Sequence, residues 1–149
     1  MNNIQIVPMA AEHISAIASI ERECFSAPWS EKALAEELDV PSAVFVTALA
    51  DGEIAGYVGM HHLGDVGYIC NVAVSSGYRG MGIGGQLLEY LIDYARKNSL
   101  SEITLEVRTS NQAARKLYEK SGFERLGTRP NFYSNPKENA EIYSRFFGN

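Results

Sequence analysis

The densest chemical signal in this 149-residue chain is Arg79-Gly80-Met81-Gly82-Ile83-Gly84-Gly85. Four glycines fall within six residues, between the apolar run Ile69–Val74 and the amphipathic stretch that begins at Ile83. Glycine lets a backbone come close to a ligand. A helix start presents unpaired N–H groups at the positive end of its dipole. Together they make a cradle for an anion, most often a phosphate. Gly80 to Gly85 formally satisfies G-x-G-x-x-G, the dinucleotide fingerprint. That fingerprint needs a doubly wound parallel sheet, whereas strands joined by short turns precede it here. A P-loop is excluded because no Gly-Lys-Ser/Thr follows. A tight turn that binds nothing is the plain alternative, but so many glycines cost folding entropy.

Other residues suited to chemistry have plain readings from pattern alone. Glu106 falls on the polar face of a strand whose other face is Ile103, Leu105 and Val107. It is either a base in a site or an exposed carboxylate paired with Arg108. Tyr118 shares a helix face with Ala114 and Leu117 and reads as a core aromatic with its hydroxyl satisfied. Asn111 suits a helix N-cap, and Trp29 an anchor in the core. His61 and His62 are adjacent on a strand, point to opposite faces, and cannot share a metal; no metal is assigned. Cys24 and Cys70 have no CxxC spacing and no nearby histidine pattern. They read as reduced thiols, Cys70 buried and inert in its strand.

The elements that must position these groups follow from periodicity. Ile4–Val7 alternates as a first strand, and Ile14, Ile17 and Ala18 mark a helix to about Cys24. Phe25–Ser30 is a break, and Ser30 caps a second helix running to Leu38 with Ala33 at its third position. Ala43–Leu49, Ile54–His61 and Val66–Val74, joined by Asp51-Gly52 and Gly64-Asp65, form an antiparallel meander. Strict alternation puts Val66, Tyr68, Cys70, Val72 and Val74 on one face of its third strand, with Ile69 and Ala73 on the other. Ile83, Leu87, Leu88, Leu91, Ile92 and Ala95 mark a helix of about four turns. The next strand, Ile103–Val107, completes a right-handed crossover and lies parallel to Val66–Val74. A helix from Asn111 closes at Gly122. Strands at Phe123–Leu126 and about Glu141–Phe147 flank a long loop around Asn131–Asn139. The result is one α/β (α+β) domain over 1–149: a mixed, mostly antiparallel sheet flanked by helices, with a central βαβ crossover.

A composition of 46% hydrophobic and 21% charged residues supports a core without disulfides or metal. The net charge of −5 argues against non-specific nucleic-acid binding. Met1–Ala10 lacks a targeting pattern, and no segment approaches the roughly 20 apolar residues of a membrane span. A cytoplasmic protein without membrane attachment is expected.

Arg79-x-x-Gly82-x-Gly84 after Asn71-Val72-Ala73-Val74 resembles the R/Q-x-x-G-x-G/A signature of the GNAT N-acetyltransferase superfamily. The run Asn111-x-x-Ala114-x-x-Leu117-Tyr118-x-x-x-Gly122-Phe123 and the order of elements resemble it too. Pro28-Trp29-Ser30-Glu31-Lys32, Leu105-Glu106-Val107-Arg108 and Arg129-x-Asn131-Phe132-Tyr133 are similar to the bacterial ribosomal-protein alanine N-acetyltransferases. The resemblance implies acetyl-coenzyme A as cosubstrate, with the backbone of Arg79, Gly80, Met81, Gly82, Ile83, Gly84 and Gly85 around its pyrophosphate. Val72, Ala73 and Val74 would pair with the pantetheine amides, and Asn111 would contact the pantetheine arm. It implies Glu106 as proton acceptor, Tyr118 as donor to the leaving thiolate, a backbone N–H such as that of Val74 on the thioester oxygen, and direct transfer without an acyl-enzyme. The acceptor would be a protein N-terminus, the alanine of ribosomal protein S18, held between Phe25–Ser30 and Asn131–Asn135 with Tyr133 on its backbone and Trp29 as a wall. Ser75-Ser76, Pro130 and Phe132 depart from that pattern, which often has Asp-Pro before the loop and Tyr-Tyr at the last pair. A small-amine acetyltransferase and a non-catalytic coenzyme-binding module are the alternatives; retention of both Glu106 and Tyr118 counts against the module. A monomer or weak dimer is expected.

Overall fold

The structure is a computed structural model and describes residues 3–148. Met1 and Asn2, which begin the stretch read for a targeting pattern, and Asn149, the end of the expected domain, lie outside the described residues. The strands are β1 (Ile4–Pro8), β2 (Ala43–Ala50), β3 (Glu53–Leu63), β4 (Val66–Val74), β5 (Glu102–Arg108), β6 (Glu124–Tyr133) and β7 (Glu138–Phe146). The helices are α1 (Ile14–Cys24), α2 (Glu31–Glu37), α3 (Ile83–Lys97) and α4 (Gln112–Lys120). One sheet runs in the order β1-β2-β3-β4-β5-β7-β6. Every neighbouring pair is antiparallel except β4 and β5, which the α3 crossover makes parallel. The α/β fold with its mixed, mostly antiparallel sheet is the expected one.

Local signals act where the spacing puts them. Asp51 and Gly52 both take positive φ, the pairing a two-residue hairpin turn requires. Ser30 Oγ accepts from the Ala33 N–H at 3.1 Å and starts α2. Asn111 Oδ1 does the same for Ala114 in α4, and Gly122 ends α4 at φ 87°. The stripe Ile83, Leu87, Leu88, Leu91 and Ile92 is at most 1% exposed against the sheet. Each such side chain contributes roughly 1.5–3 kcal/mol relative to exposure. With α4 it builds one core; α1 and α2 build a second on the opposite face of the sheet, around Ile17, Ala18, Leu34 and Tyr57.

Two expectations need correction. β4 does not alternate strictly. Gly59 pairs with Asn71 but Met60 pairs with Ile69, so Cys70 is an extra residue, a β-bulge. One inserted residue reverses the faces beyond it. Ile69, Val72 and Val74 pack on the α3 side, whereas Cys70 and Ala73 pack on the α1 side, where Asn71 also bonds Glu21. The second correction concerns Asn131–Asn139, which is not a long loop. β6 runs on to Tyr133 and β7 begins at Glu138, so only four residues turn between them. Pro130 is accommodated within β6 because β6 is an edge strand, where a missing N–H leaves no ladder bond unmade. The extra residues are absorbed by a register shift between Arg129 and Tyr133, with Asn131 at φ 55° and its N–H on Asn139 Oδ1 at 2.9 Å.

Candidate active site

The parallel pairing of β4 with β5 covers only Val66, Gly67 and Tyr68 against Glu102, Ile103 and Thr104. Beyond Tyr68 the strands part. The facing edges of Asn71–Val74 and Leu105–Arg108 are left without strand partners, while their outer edges stay paired to β3 and β7. The bulge at Cys70 lies at this fork. Two adjoining cavities fill it, of about 370 and 660 Å³. They share Val72, Asn111, Ala114 and Tyr118 as walls.

The larger cavity is the glycine site. Val72, Ala73 and Val74 line one side; Arg79, Gly80, Gly82, Ile83, Gly84 and Gly85 line another. Met81 is exposed and is not among its walls. Gly80 and Gly82 sit at φ 82° and 78°, which side chains rarely adopt, and Gly82 caps α3 with no side-chain acceptor. A Cβ at Gly80, Gly82 or Gly85 would meet nothing within 4 Å. Gly84 has another purpose: a Cβ there would lie 2.9 Å from Leu117, so it sets the approach of α3 to α4. The Arg79 side chain turns back to β4, donating to Val74 O at 3.1 Å and Cys24 Sγ at 3.2 Å.

Glu106, Tyr133 and Tyr118 line the smaller cavity. The Glu106 side chain is 9% exposed. It accepts from Tyr68 OH at 2.6 Å and pairs with Arg129 Nε at 3.3 Å. Its cationic partner is therefore Arg129 of the edge strand and not Arg108. Arg108 instead pairs with Glu138 at 3.2 Å, donates to Pro136 O at 2.9 Å and lies 4.4 Å from the centre of the Tyr133 ring. It pins the β6–β7 turn over the cavity. Ser26 Oγ donates to Asn135 O at 3.0 Å and ties that turn to the loop before α2.

The Tyr118 ring is a core residue, 5% exposed, with Phe123 and Tyr143 rings 5.9 and 6.0 Å away. Its hydroxyl makes no hydrogen bond among the described residues, contrary to the reading that it is satisfied in the core. Burial raises its pKa, so the phenol stays a neutral donor. Burial, then the Glu106 carboxylate, also raises Tyr133. Asn111 is both the cap of α4 and a wall of both cavities. Trp29 lines neither; it stands 5.8 Å from Phe45, while Phe25, Ser26 and Ala27 of the same loop reach the smaller cavity.

Tyr68, Arg129 and Glu21 complete the site and were not singled out from sequence. Glu21 is fully buried. It accepts from Tyr57 OH at 2.5 Å, Asn71 Nδ2 at 3.0 Å and Trp29 N at 2.9 Å, joining the β4 bulge to the loop before α2. Burial raises its pKa against those three bonds. A signal existed: Glu21 continues the helical stripe Ile14, Ile17, Ala18, a carboxylate on an apolar face.

A glycine-capped helix beside a strand fork, with a carboxylate and a phenol in the fork, defines a class. Residues 14–123 match the Acetyltransferase (GNAT) family, and the chain belongs to it. It is an acyltransferase of that family. It is 37% identical over 122 residues to the N-alpha-acetyltransferase RimI of Mycobacterium tuberculosis, covering 78% of this chain and 75% of that one. The crystal structure of the ribosomal-protein-S18-alanine N-acetyltransferase from Escherichia coli superposes with TM-score 0.87 at 31% identity, covering 100% and 96% of the two chains. Arabidopsis thaliana NAA60, solved in complex with acetyl-CoA, shares the fold at TM-score 0.89 and 17% identity, covering 97% and 100%.

Proposed function

We propose that the chain moves the acetyl group of acetyl-coenzyme A onto the α-amine of a protein N-terminus, with the N-terminal alanine of ribosomal protein S18 as acceptor. The observation that carries this reading is the meeting of Glu106 and Tyr118 in one cavity at the fork of β4 and β5. The residues present fit the coenzyme. The free edge at Val72–Val74 suits amides that add like a strand. The open start of α3, where Gly82 offers no side-chain acceptor, suits a pyrophosphate.

An α-amine has a pKa of about 7.7–8.0, so part of it must lose a proton to attack at neutral pH. Glu106 takes that proton. A carboxylate offers about four lone-pair sites; Tyr68 and Arg129 use up to three and leave one toward the cavity. Arg129 offsets the cost of holding the charge in a largely buried position. The Val74 N–H supports the thioester oxygen as charge develops. Tyr118, a neutral phenol with no acceptor among the described residues, gives its proton to the departing sulfur. Tyr133 and the tied loops at Ser26 and Asn135 line the acceptor end. The chain's likeness to N-alpha-acetyltransferase RimI and to the ribosomal-protein-S18-alanine N-acetyltransferase favours a protein N-terminus over a small amine.

The test offers acetyl-coenzyme A with N-terminal peptides, one from S18 among them, and with a set of small amines, and measures thiol release. Release with the S18 peptide above all others is expected. Release only with small amines would overturn the acceptor, and none with any amine despite coenzyme binding would overturn catalysis.

A further inference from the structure

Besides the proposed acid and base, the smaller cavity contains a thiol with its own base. The β4 bulge turns Cys70 to the α1 side, where it is half-buried and lines the cavity. His61 of β3 stands beside it, Nδ1 at 3.3 Å from Sγ. The other ring nitrogen, Nε2, is 2.9 Å from Glu37 Oε2. A carboxylate can only accept, so Nε2 carries the hydrogen and Nδ1 is left to accept from the thiol. Glu37 ends α2, where the helix dipole disfavours a negative charge, and His61 is its compensating donor. The Phe45 ring, 5.8 Å away, packs on the imidazole. The three groups lie in a line with the ring between them, so they do not converge on a metal. They match the order nucleophile, base, orienting carboxylate.

We propose that this array makes Cys70 a modification site for low-molecular-weight disulfides, and that the mixed disulfide closes the acceptor end of the cavity; the closure rests on the acetyl-transfer reading above. The thiol gives its proton to His61 Nδ1 as Sγ attacks one disulfide sulfur. A new S–S bond forms, the old one breaks, and the departing thiolate takes up the proton. One thiol and one disulfide give one mixed disulfide and one thiol, with no other oxidant. Burial, with the Glu37 carboxylate adding, pushes the Cys70 thiol up to about 11. The resting group is therefore a protonated thiol, and reactivity depends on His61 acting during attack. Cys24, the other thiol on the same cavity, provides the contrast. It lies between Arg79 Nη2 and Val74 O, and among the described residues no imidazole or carboxylate is hydrogen-bonded to it.

The experiment treats the full chain with dithiodipyridine, a neutral disulfide, and follows labelling at each cysteine by peptide mass. A positioned base is worth about 10²–10⁴ in rate. Cys70 is expected to label before Cys24. His61→Gln should slow Cys70 at least tenfold while the Cys24 rate and the melting temperature hold. Glu37→Leu is the second variant: it removes the acceptor that holds the hydrogen on Nε2, frees the ring to take the tautomer whose Nδ1 cannot accept, and should slow Cys70 likewise. Labelling of Cys24 first, or an unchanged Cys70 rate in either folded variant, would overturn the site. Acetyl transfer should fall in step with Cys70 labelling and return with a reducing thiol, whereas the treated-to-untreated ratio stays near one in Cys70→Ala. Full transfer with Cys70 fully labelled would overturn the closure. Absence of transfer before any labelling would instead count against the acetyl-transfer reading and leave the labelling result standing.

Discussion

Tyr118→Phe removes one oxygen whose loss should touch turnover and leave folding alone. The ring would keep its neighbours Phe123 and Tyr143. The hydroxyl makes no hydrogen bond among the described residues, so no protein bond is forfeited. The stability change should stay within about 0.5 kcal/mol, a melting shift of about 2 °C or less for a chain of this size. Turnover should fall at least tenfold, since a positioned acid is worth about 10²–10⁴ and each tenfold is about 1.4 kcal/mol of barrier. Tyr57→Phe is the opposite case. Its hydroxyl donates to the buried Glu21 at 2.5 Å, and losing that donor should cost about 1–3 kcal/mol, a melting point lower by roughly 3–10 °C. Steady-state thiol release and thermal melts on both variants decide the matter. Near-normal turnover in Tyr118→Phe would remove it from the mechanism. A melting loss equal to that of Tyr57→Phe would mean that its hydroxyl is a structural partner.

Glu106→Gln should lower turnover at least tenfold with little change in coenzyme KM, because the amide keeps the cavity shape but takes no proton; unchanged turnover would discard it as the base. Acid stability should depend on Glu141, whose carboxyl the Thr109 hydroxyl, ahead of Arg125 and Thr128, holds at about 2 instead of the ordinary 4.5. A lowered folded-state value stabilises above the ordinary value and is lost as pH falls toward 2, worth about 2 kcal/mol after allowing for the half-exposed Arg125. Urea denaturation from pH 6 to pH 2 should show wild type losing that much more than Glu141→Gln; equal losses would refute it. Gly56→Ala would place a Cβ 2.6 Å from the Ala73 carbonyl oxygen. It should cost about 1–3 kcal/mol and raise coenzyme KM by moving the free edge of β4; an unaltered KM would show that this edge does not hold the coenzyme.

Much of the glycine-lined half of the site was legible because its signals are local. The glycine turn, the stripe from Ile83 to Ala95 and the caps at Ser30, Asn111 and Gly122 each depend on residues within about a turn of one another. The surroundings of Glu106 were not. Reading Glu106 with Arg108 was the nearest choice in sequence, and the two do share a face of β5, but Glu138 and the Pro136 carbonyl take up the Arg108 guanidinium. Arg129 reaches Glu106 from an edge strand that the sequence ended too early, at Leu126. Trp29 left the cavity because Phe45 and Glu21 hold it elsewhere.

The sequence alone determined the order of elements, the parallel crossover, the glycine turn at the start of α3 and the faces of its helices, since period and capping act over a few residues. Tertiary structure decided the bulge at Cys70, the fork between β4 and β5 and the partners of Glu106, Cys70 and Glu21. Those depend on register between strands far apart in the chain, and a slip of one residue turns a side chain from one face of the sheet to the other.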